Sequence, residues 1–291
     1  MSAELIVDAR NAVGECPVWV PEENALYWVD IPNGRLQRWN AATGQVATWQ
    51  APQVLACIAR TDSGNWVAGM ECGFFQLTPH SDGSLDTLCL AEVEHPRAGM
   101  RLNDGRCDRQ GRFWAGSMVM DMGLNAAEGT LYRYASGSAP HAQLGGFTTL
   151  NGLAFSPDGR TMYASDSHPL VQQIWAFDYD IDTGTPSNRR VFVDMHRHLG
   201  RPDGAAVDAD GCYWICANDA GLVHRFTPDG RLDQSHHVPV KKPTMCAFGG
   251  SRLDTLYVTS IRDDPSEQSL SGGVFALNPG VQGLPEPRFI L

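Results

Sequence analysis

The feature that most constrains the fold of this chain is a repeat. Three stretches align without a gap, from Asn103 to Gly111, from Asn151 to Gly159 and from Asp203 to Gly211. Each begins with Asn or Asp, continues through a short strand-like run and ends in a polar turn with glycine, and an aromatic-rich run follows. Because structural repeats place equivalent residues at equivalent positions in space, the three opening side chains are predicted to lie around a common axis.

Three further copies extend the repeat to six units. Their opening positions hold Glu15, Ala56 and Thr244, and the spacing of roughly 40 to 50 residues is typical of propeller blades. Within the units, short alternating runs are separated by Asp-Gly or Ser-Gly turns, which indicates antiparallel hairpins. No long amphipathic helix is apparent. The sequence therefore predicts an all-β fold, namely a six-bladed β-propeller with four-stranded antiparallel blades around a central channel.

A strand-like segment before the first unit bears on how the ring closes. Residues Glu4 to Ala9 are mostly apolar and belong to no unit of their own. We expect this N-terminal strand to become the outer strand of the last blade. A ring closed in this way leaves no room for a linker or a second domain, so residues 1–291 are predicted to form a single propeller domain.

Composition and charge limit the kinds of binding partner and the cellular compartment that we expect for this protein. The chain carries 22 Lys and Arg against 33 Asp and Glu, a net charge of −11, and so lacks the basic footprint of a nucleic-acid-binding protein. The N-terminus has neither the basic nor the apolar region of a signal peptide, and no apolar run approaches a membrane span. The eight cysteines are scattered without a CxxC pair. We expect a cytoplasmic monomer that binds neither nucleic acid nor membrane.

The opening position of each unit is predicted to line one mouth of the channel. Around the ring this position holds Glu15, Ala56, Asn103, Asn151, Asp203 and Thr244. Carboxylate and amide oxygens are hard donors that suit calcium, magnesium or manganese. Asn and Asp are also common in turns, but the hairpin turn of the fifth unit is already supplied by Asp210-Gly211, and Glu15 has no turn explanation. A metal site at the channel mouth is therefore the favoured interpretation.

Two further side chains lie on or near the same approach. Arg101 precedes Asn103 by two residues, and its guanidinium could bind a carboxylate or a row of sugar hydroxyls. The alternative for Arg101 is a solvated loop residue, and the local sequence does not decide between the two. Asp121 falls in the irregular loop 119–128, where on its own it is no more than a loop acid.

The chain resembles the regucalcin/gluconolactonase family, also called the senescence marker protein family. Its members are six-bladed propellers that bind one divalent cation in the channel. The resemblance covers essentially the whole chain and is carried by four motifs that occur in order: Gly14-Glu15-Cys16-Pro17-Val18-Trp19, Arg101-Leu102-Asn103-Asp104-Gly105, the run from Asn151 to Gly159, and Arg201-Pro202-Asp203-Gly204.

The resemblance implies a set of site residues and a cofactor. The metal ligands would be Glu15, Asn151 and Asp203, and the substrate-binding residues would be Arg101, Asn103 and Asp121. The cofactor would be one divalent cation, either calcium, magnesium, manganese, zinc or iron(II). Position 16 is Cys, where Gly is frequent in relatives. We expect no chemical consequence of this difference, although a bulkier group beside Glu15 could adjust that ligand.

The reaction implied by the resemblance is hydrolysis of a sugar lactone to the aldonic acid, as in bacterial oxidation of arabinose, xylose, galactose or glucose. Asp203 would be the general base, and the cation would polarise the lactone carbonyl. A calcium-binding regulatory protein with little catalytic activity is the alternative, because fold alone does not dictate function. A propeller used only as an interaction scaffold is disfavoured, since a scaffold needs no oxygen donors in register around its channel.

Overall fold

The computed structural model describes residues 2–264, 266 and 269–291. Strand β1 (Glu4–Val7) comes first, and four-stranded antiparallel sheets follow as blades. Blade 1 contains β2 (Gly14–Val20), β3 (Ala25–Asp30), β4 (Arg35–Asn40) and β5 (Val46–Gln50). Blade 2 contains β6 (Leu55–Arg60), β7 (Trp66–Met70), β8 (Gly73–Pro79) and β9 (Leu85–Glu92). Blade 3 contains β10 (Met100–Cys107), β11 (Phe113–Val119), β12 (Gly129–Tyr134) and β13 (His141–Phe147).

The remaining three blades repeat this arrangement. Blade 4 contains β14 (Leu150–Phe155), β15 (Thr161–Asp166), β16 (Gln173–Asp180) and β17 (Thr185–Asp194). Blade 5 contains β18 (Arg201–Val207), β19 (Tyr213–Asn218), β20 (Leu222–Phe226) and β21 (Leu232–His237). Blade 6 contains β22 (Pro243–Gly249), β23 (Thr255–Ser260) and β24 (Val274–Leu277) together with β1. Short 3-10 turns occur at Pro21–Glu23, Met122–Leu124 and Met195–Arg197.

The blades form a closed ring around a channel, as the repeat predicts. Within each of blades 1 to 5 the strands pair in chain order, and the first strand of every blade packs against the first strands of its neighbours. The first strands β2, β6, β10, β14, β18 and β22 are therefore the innermost ones. The prediction of a six-bladed all-β propeller is confirmed. None of the helices in the described ranges has the length or apolar character that a membrane span requires.

The N-terminal strand closes the ring. Strand β1 is the outermost strand of blade 6 and pairs antiparallel with β24, so that Leu5 lies opposite Phe275. This confirms the predicted closure of the last blade. The strand ends at Val7 rather than Ala9, and Arg10, three residues later, has a left-handed φ of 51°.

Aromatic side chains fill the spaces between blades. Trp66 and Trp114, on the second strands of blades 2 and 3, are fully buried. Phe74 of blade 2 stacks on Tyr134 of blade 3 with ring centroids 5.0 Å apart. Burying such large apolar surfaces between neighbouring sheets is the main favourable term that holds the blades together. The inner strands are thereby held firmly enough to position side chains at the channel.

Candidate functional site

A local break in strand pairing marks the start of every inner strand. In β18, Pro202 pairs with Ala217 and Ala205 pairs with Ile215, so two residues of β18 lie opposite one residue of β19. The register shifts in a similar way near the start of β2, β6, β10, β14 and β22. Such bulges turn a side chain away from its regular direction and are frequent beside active sites. The opening positions of the six units lie in these bulges or directly beside them.

Three of the predicted site residues form one hydrogen-bonded chain. The Nη1 atom of Arg101 donates to Oδ1 of Asn103 at 2.8 Å, and Nδ2 of Asn103 donates to Oδ1 of Asn151 at 2.9 Å. Asn103 and Asn151 are buried, whereas Arg101 is half-buried. The substrate-binding pair predicted from blade 3 is thus joined directly to a predicted metal ligand of blade 4.

A second chain of contacts connects Asn151 to the region of Asp203. Nδ2 of Asn151 donates to Oγ of Ser167 at 2.6 Å, and that hydroxyl donates to the backbone carbonyl of Pro202. The next residue, Asp203, accepts a 2.7 Å hydrogen bond on Oδ2 from Nδ2 of Asn218. Blades 4 and 5 are therefore linked by polar contacts at the same end of the channel.

Glu15 brings a second carboxylate to this end. Its side chain is buried, and Oε2 accepts a 2.8 Å hydrogen bond from the backbone N–H of Cys16. Burial, and after it the negative charges of Asp203 and Asp104, raise the pKa of Glu15 well above its ordinary value. Burial also raises the pKa of Asp203 to about 7, although the hydrogen bond from Asn218 acts in the opposite direction. Two carboxyl groups with elevated pKa values therefore lie near each other.

Asp104 is a member of this cluster that the sequence alone did not single out. It is buried, its Oδ2 accepts the backbone N–H of Leu153 at 2.8 Å, and burial raises its pKa. Its Oδ1 has no hydrogen-bond partner within the described residues. The repeat contains a signal for it, because the equivalent positions in the next two units are Gly152 and Gly204, and a charged residue stands there only in blade 3 of these three.

Asn218 is a second neighbour of the candidate site that the sequence alone did not single out. It is the last residue of β19, and it holds the carboxylate of Asp203. Polar residues also end the second strands of blades 1, 4 and 6, at Asp30, Asp166 and Ser260. A polar residue closing an otherwise apolar run is a pattern that could have indicated this position.

The other two opening positions of the ring have different roles. Thr244 donates through Oγ1 to the backbone carbonyl of Gly14 and contacts Oγ1 of Thr259 at 2.9 Å, so it joins blade 6 to blade 1. Ala56 is buried and has no side-chain donor or acceptor. The carboxylate and amide oxygens at the opening positions therefore come from blades 1, 3, 4 and 5. Thr244 of blade 6 has a structural role instead.

Asp121 lies apart from the cluster. It is exposed and precedes the 3-10 turn Met122–Leu124, where its Oδ1 accepts the backbone N–H of Gly123 at 3.0 Å. No hydrogen bond or ion pair joins it to Arg101 or Asn103 among the described residues. Its part in substrate binding stays a prediction.

The donor set fits a divalent cation. Glu15, Asn151 and Asp203 offer carboxylate and amide oxygens, which are the ligands that hard cations prefer. Burial raises the pKa values of both acids, and a bound cation would favour their ionised forms. The described part of the chain holds no group of three or more His, Cys, Asp or Glu side chains suited to a metal. A site here would therefore depend on the amide oxygen.

Known proteins are similar in sequence to nearly the whole of this chain. Residues 13–262 match the family model described as the SMP-30/Gluconolactonase/LRE-like region. The chain is 39% identical over 290 residues to 6-deoxy-6-sulfogluconolactonase of Pseudomonas putida, covering 98% of this chain and 97% of that protein. It is 34% identical over 296 residues to regucalcin of Gallus gallus, with 98% and 97% coverage.

A solved structure agrees with the sequence comparisons. The calcium-binding protein regucalcin from Agrobacterium tumefaciens has a TM-score of 0.90 and 27% identity, covering 100% of this chain and 98% of that chain. The match extends around all six blades and includes the inner strands that carry the cluster. The chain therefore belongs to the SMP-30/gluconolactonase/LRE-like family, as the four motifs indicate.

Proposed function

We propose that this protein is a cation-dependent lactonase that hydrolyses a sugar lactone to the aldonic acid. The observation that carries the proposal is the pair of buried acids, Glu15 and Asp203, at the same channel mouth as the chain Arg101–Asn103–Asn151. Family membership supports it, because one relative with 39% identity is a 6-deoxy-6-sulfogluconolactonase.

In this proposal Glu15, Asn151 and Asp203 hold one divalent cation. Calcium, magnesium, manganese, zinc and iron(II) are all candidates, and the name of the solved relative, a calcium-binding protein, favours calcium. When bound, the cation supplies Lewis-acid polarisation of the lactone carbonyl. The fit of the site to a cation rests on its oxygen donors and on the elevated pKa values of its acids.

Asp203 is proposed as the general base. It removes a proton from the attacking water while the water oxygen bonds to the carbonyl carbon. The ring C–O bond then breaks, and the protonated Asp203 returns this proton to the ring oxygen, which leaves as a hydroxyl and restores the carboxylate. The amide of Asn218 fixes one oxygen of the carboxylate and leaves Oδ1 for this proton transfer.

Arg101, Asn103 and Asp121 are proposed to bind the sugar. Arg101 bonds Asn103 and a backbone carbonyl through Nη1, and no bond to Nε or Nη2 is formed by the described residues. Burial lowers the pKa of Arg101 to about 10, so the guanidinium stays charged at neutral pH. Its remaining donors suit a row of ring hydroxyls, and Asp121 lies on a loop that could complete the site.

The test is a metal add-back assay. Protein stripped with a chelator is supplied with each of the five cations, and acid release is followed from pentono- and hexonolactones, including one with a C6 sulfonate. We expect rapid cation-dependent turnover of at least one lactone and its loss in Asp203→Asn. Asp178→Asn, an exposed acid on β16, is the matched control and should keep full activity. Full activity of Asp203→Asn would refute the assignment of the base.

A calcium-binding regulatory protein is the second candidate, favoured by the relatives named regucalcin. The same assay separates the two. If the protein binds calcium but no lactone turns over with any cation, the regulatory function is supported and the lactonase proposal fails.

In the lactonase proposal, Asp121→Asn should raise KM more than it lowers kcat, because Asp121 contacts the sugar and not the reacting carbon.

A further inference from the structure

A second cavity lies at the other end of the channel from the candidate cation site. Its volume is about 330 Å³, and its walls come from the later residues of β2, β6 and β10, from β22 and from the C-terminal segment. The three candidate ligands are not among the residues that line it. Pockets for small molecules have volumes of about 300–1,000 Å³. We propose that this cavity binds a small organic anion with an aromatic body, of the arenecarboxylate class.

The cavity has a fixed outer wall. Residues 281–291, the C-terminal strap, cross this end of the propeller. Gln282 accepts the backbone N–H of Ala209 at 2.9 Å, and the N–H of Phe289 bonds the carbonyl of Arg60 at 2.9 Å. The ring of Phe289 stacks on Tyr134 with centroids 5.5 Å apart. The strap therefore joins blades 2, 3 and 5 and encloses a defined volume.

The arginines of the lining can offer donors to an anion. The charged residues that line the cavity are Arg60, Arg106, Arg288, Glu22 and Glu286. Arg106 pairs with Glu286 at 3.1 Å, and Arg288 pairs with Glu22. Arg60 pairs with Glu23, which lies outside the lining, so each of the three guanidiniums has one carboxylate partner. Guanidinium groups retain donors beyond a single ion pair and bind a carboxylate in a bidentate manner.

The rest of the lining favours an aromatic body over a sugar. Trp19, Phe248, Met245 and Ile58 contribute apolar surface, and each is buried. An aromatic ring packs well against indole, phenyl and thioether groups. A sugar would find hydrogen-bond partners only at the charged residues of the lining, and its other hydroxyls would lie against these apolar groups, which is costly. The ligand of this cavity is therefore chemically distinct from a sugar lactone.

Calorimetric titration of the full chain with 2-naphthoate, in saturating calcium, tests the proposal. We expect one saturable site, and the neutral isostere 2-naphthamide should bind about tenfold more weakly because it lacks the charge. Ala59→Phe places a ring inside the cavity and should abolish binding. Ala59→Leu is a milder version, for use if the first variant does not fold.

Two substitutions locate the bound probe. Arg288→Gln removes one guanidinium of the lining and should weaken 2-naphthoate binding several-fold, whereas Arg231→Gln, an exposed arginine outside the lining, should leave it unchanged. Arg101→Gln should also leave it unchanged, because Arg101 lies at the opposite mouth. No saturable binding, or binding that survives both folded Ala59 variants, overturns the proposal. Loss of binding in Arg101→Gln would assign the probe to the candidate active site, and equal affinity for 2-naphthamide would refute an anion site.

Discussion

The side-chain amide of Asn218 donates a 2.7 Å hydrogen bond to Oδ2 of Asp203 from the neighbouring strand of the same blade. Both side chains are buried, so the bond is shielded from water and fixes the rotation of the carboxylate. Because the donor has no charge, it holds Asp203 without neutralising it. Asn218 is thus a positioning residue for the proposed base and cation ligand.

Removing this positioning contact should lower activity without unfolding the protein. Asn218→Ala is expected to reduce either kcat or cation affinity by about 10- to 100-fold, as is typical for partners of metal ligands. Lactonase kinetics with a calcium titration measure both effects. Asn188→Ala, which removes an exposed amide on β17, is the control. Unchanged kinetics and unchanged calcium affinity in Asn218→Ala would show that the bond is dispensable.

Stabilisation of the protein by a cation should increase with pH. Burial raises the pKa of Asp203 to about 7 and also raises that of Glu15. In the metal-free fold, ionisation of Asp203 therefore costs stability as the pH rises from the ordinary carboxyl range to about 7, and ionisation of Glu15 adds to this cost above its ordinary range. A bound cation needs both groups ionised and removes that cost. The calcium-induced rise in Tm should be larger at about pH 8 than at about pH 5.

Differential scanning fluorimetry with and without calcium checks this pH dependence. Asp203→Asn should reduce the calcium-induced shift at the higher pH, since the variant has lost a ligand that ionises. A shift of the same size at both pH values would contradict the assignment of these acids as cation ligands.

The backbone conformation at position 16 predicts that this position discriminates among side chains. Cys16 has a φ of 48°, in the left-handed region where glycine is favoured, and its thiol lies 3.2 Å from the backbone nitrogen of Ile58. Cys16→Gly loses the thiol contact but relieves strain, so we expect a stability change within about 1 kcal/mol. Cys16→Val should lose about 2–3 kcal/mol because a branched Cβ fits this conformation poorly. Urea unfolding of the two variants provides the comparison, and a valine variant as stable as the parent would refute it.

A buried ion-pair network in blade 5 should contribute strongly to stability. Asp208 accepts hydrogen bonds of 2.8 Å from both Trp214 Nε1 and Arg225 Nε, and it is fully buried. Asp208→Ala leaves the indole and part of the guanidinium without partners, and should cost about 3–5 kcal/mol. Asp178→Ala, which breaks the exposed pair with Arg190, should cost less than about 1 kcal/mol. Similar losses in the two variants, measured by chemical denaturation, would argue against this account.

Much of the fold follows from periodic patterns that a sequence displays directly. Turns such as Asp210-Gly211 separate short runs, and their recurrence predicted six blades and the position of each inner strand. The N-terminal strand was predicted because it belonged to no unit. These features are local or strictly repeated, and so they are visible without coordinates.

Part of the candidate site was not predictable for a physical reason. A bulge adds a residue to one strand without changing its apolar character, so the sequence gives no sign that Cys16 becomes left-handed. Asn218 lies on a second strand, and although the polar end of an apolar run marks its position, its contact with Asp203 arises only from strand pairing. The position of the Asp121 carboxylate, apart from the cluster, depends on the path of an irregular loop, and no repeat constrains that path.

The pairing of Leu5 with Phe275 sets the order in which this molecule can be completed during synthesis. Strand β1 is synthesised before the other strands of blade 6 and has to wait for them, and the bond from Thr244 to Gly14 is subject to the same delay. Blades 2 to 5 form from neighbouring segments and can assemble as they emerge. Glu15, by contrast, reaches its final place only after blade 6 has packed against β2, so ion-binding capacity should be acquired late in synthesis.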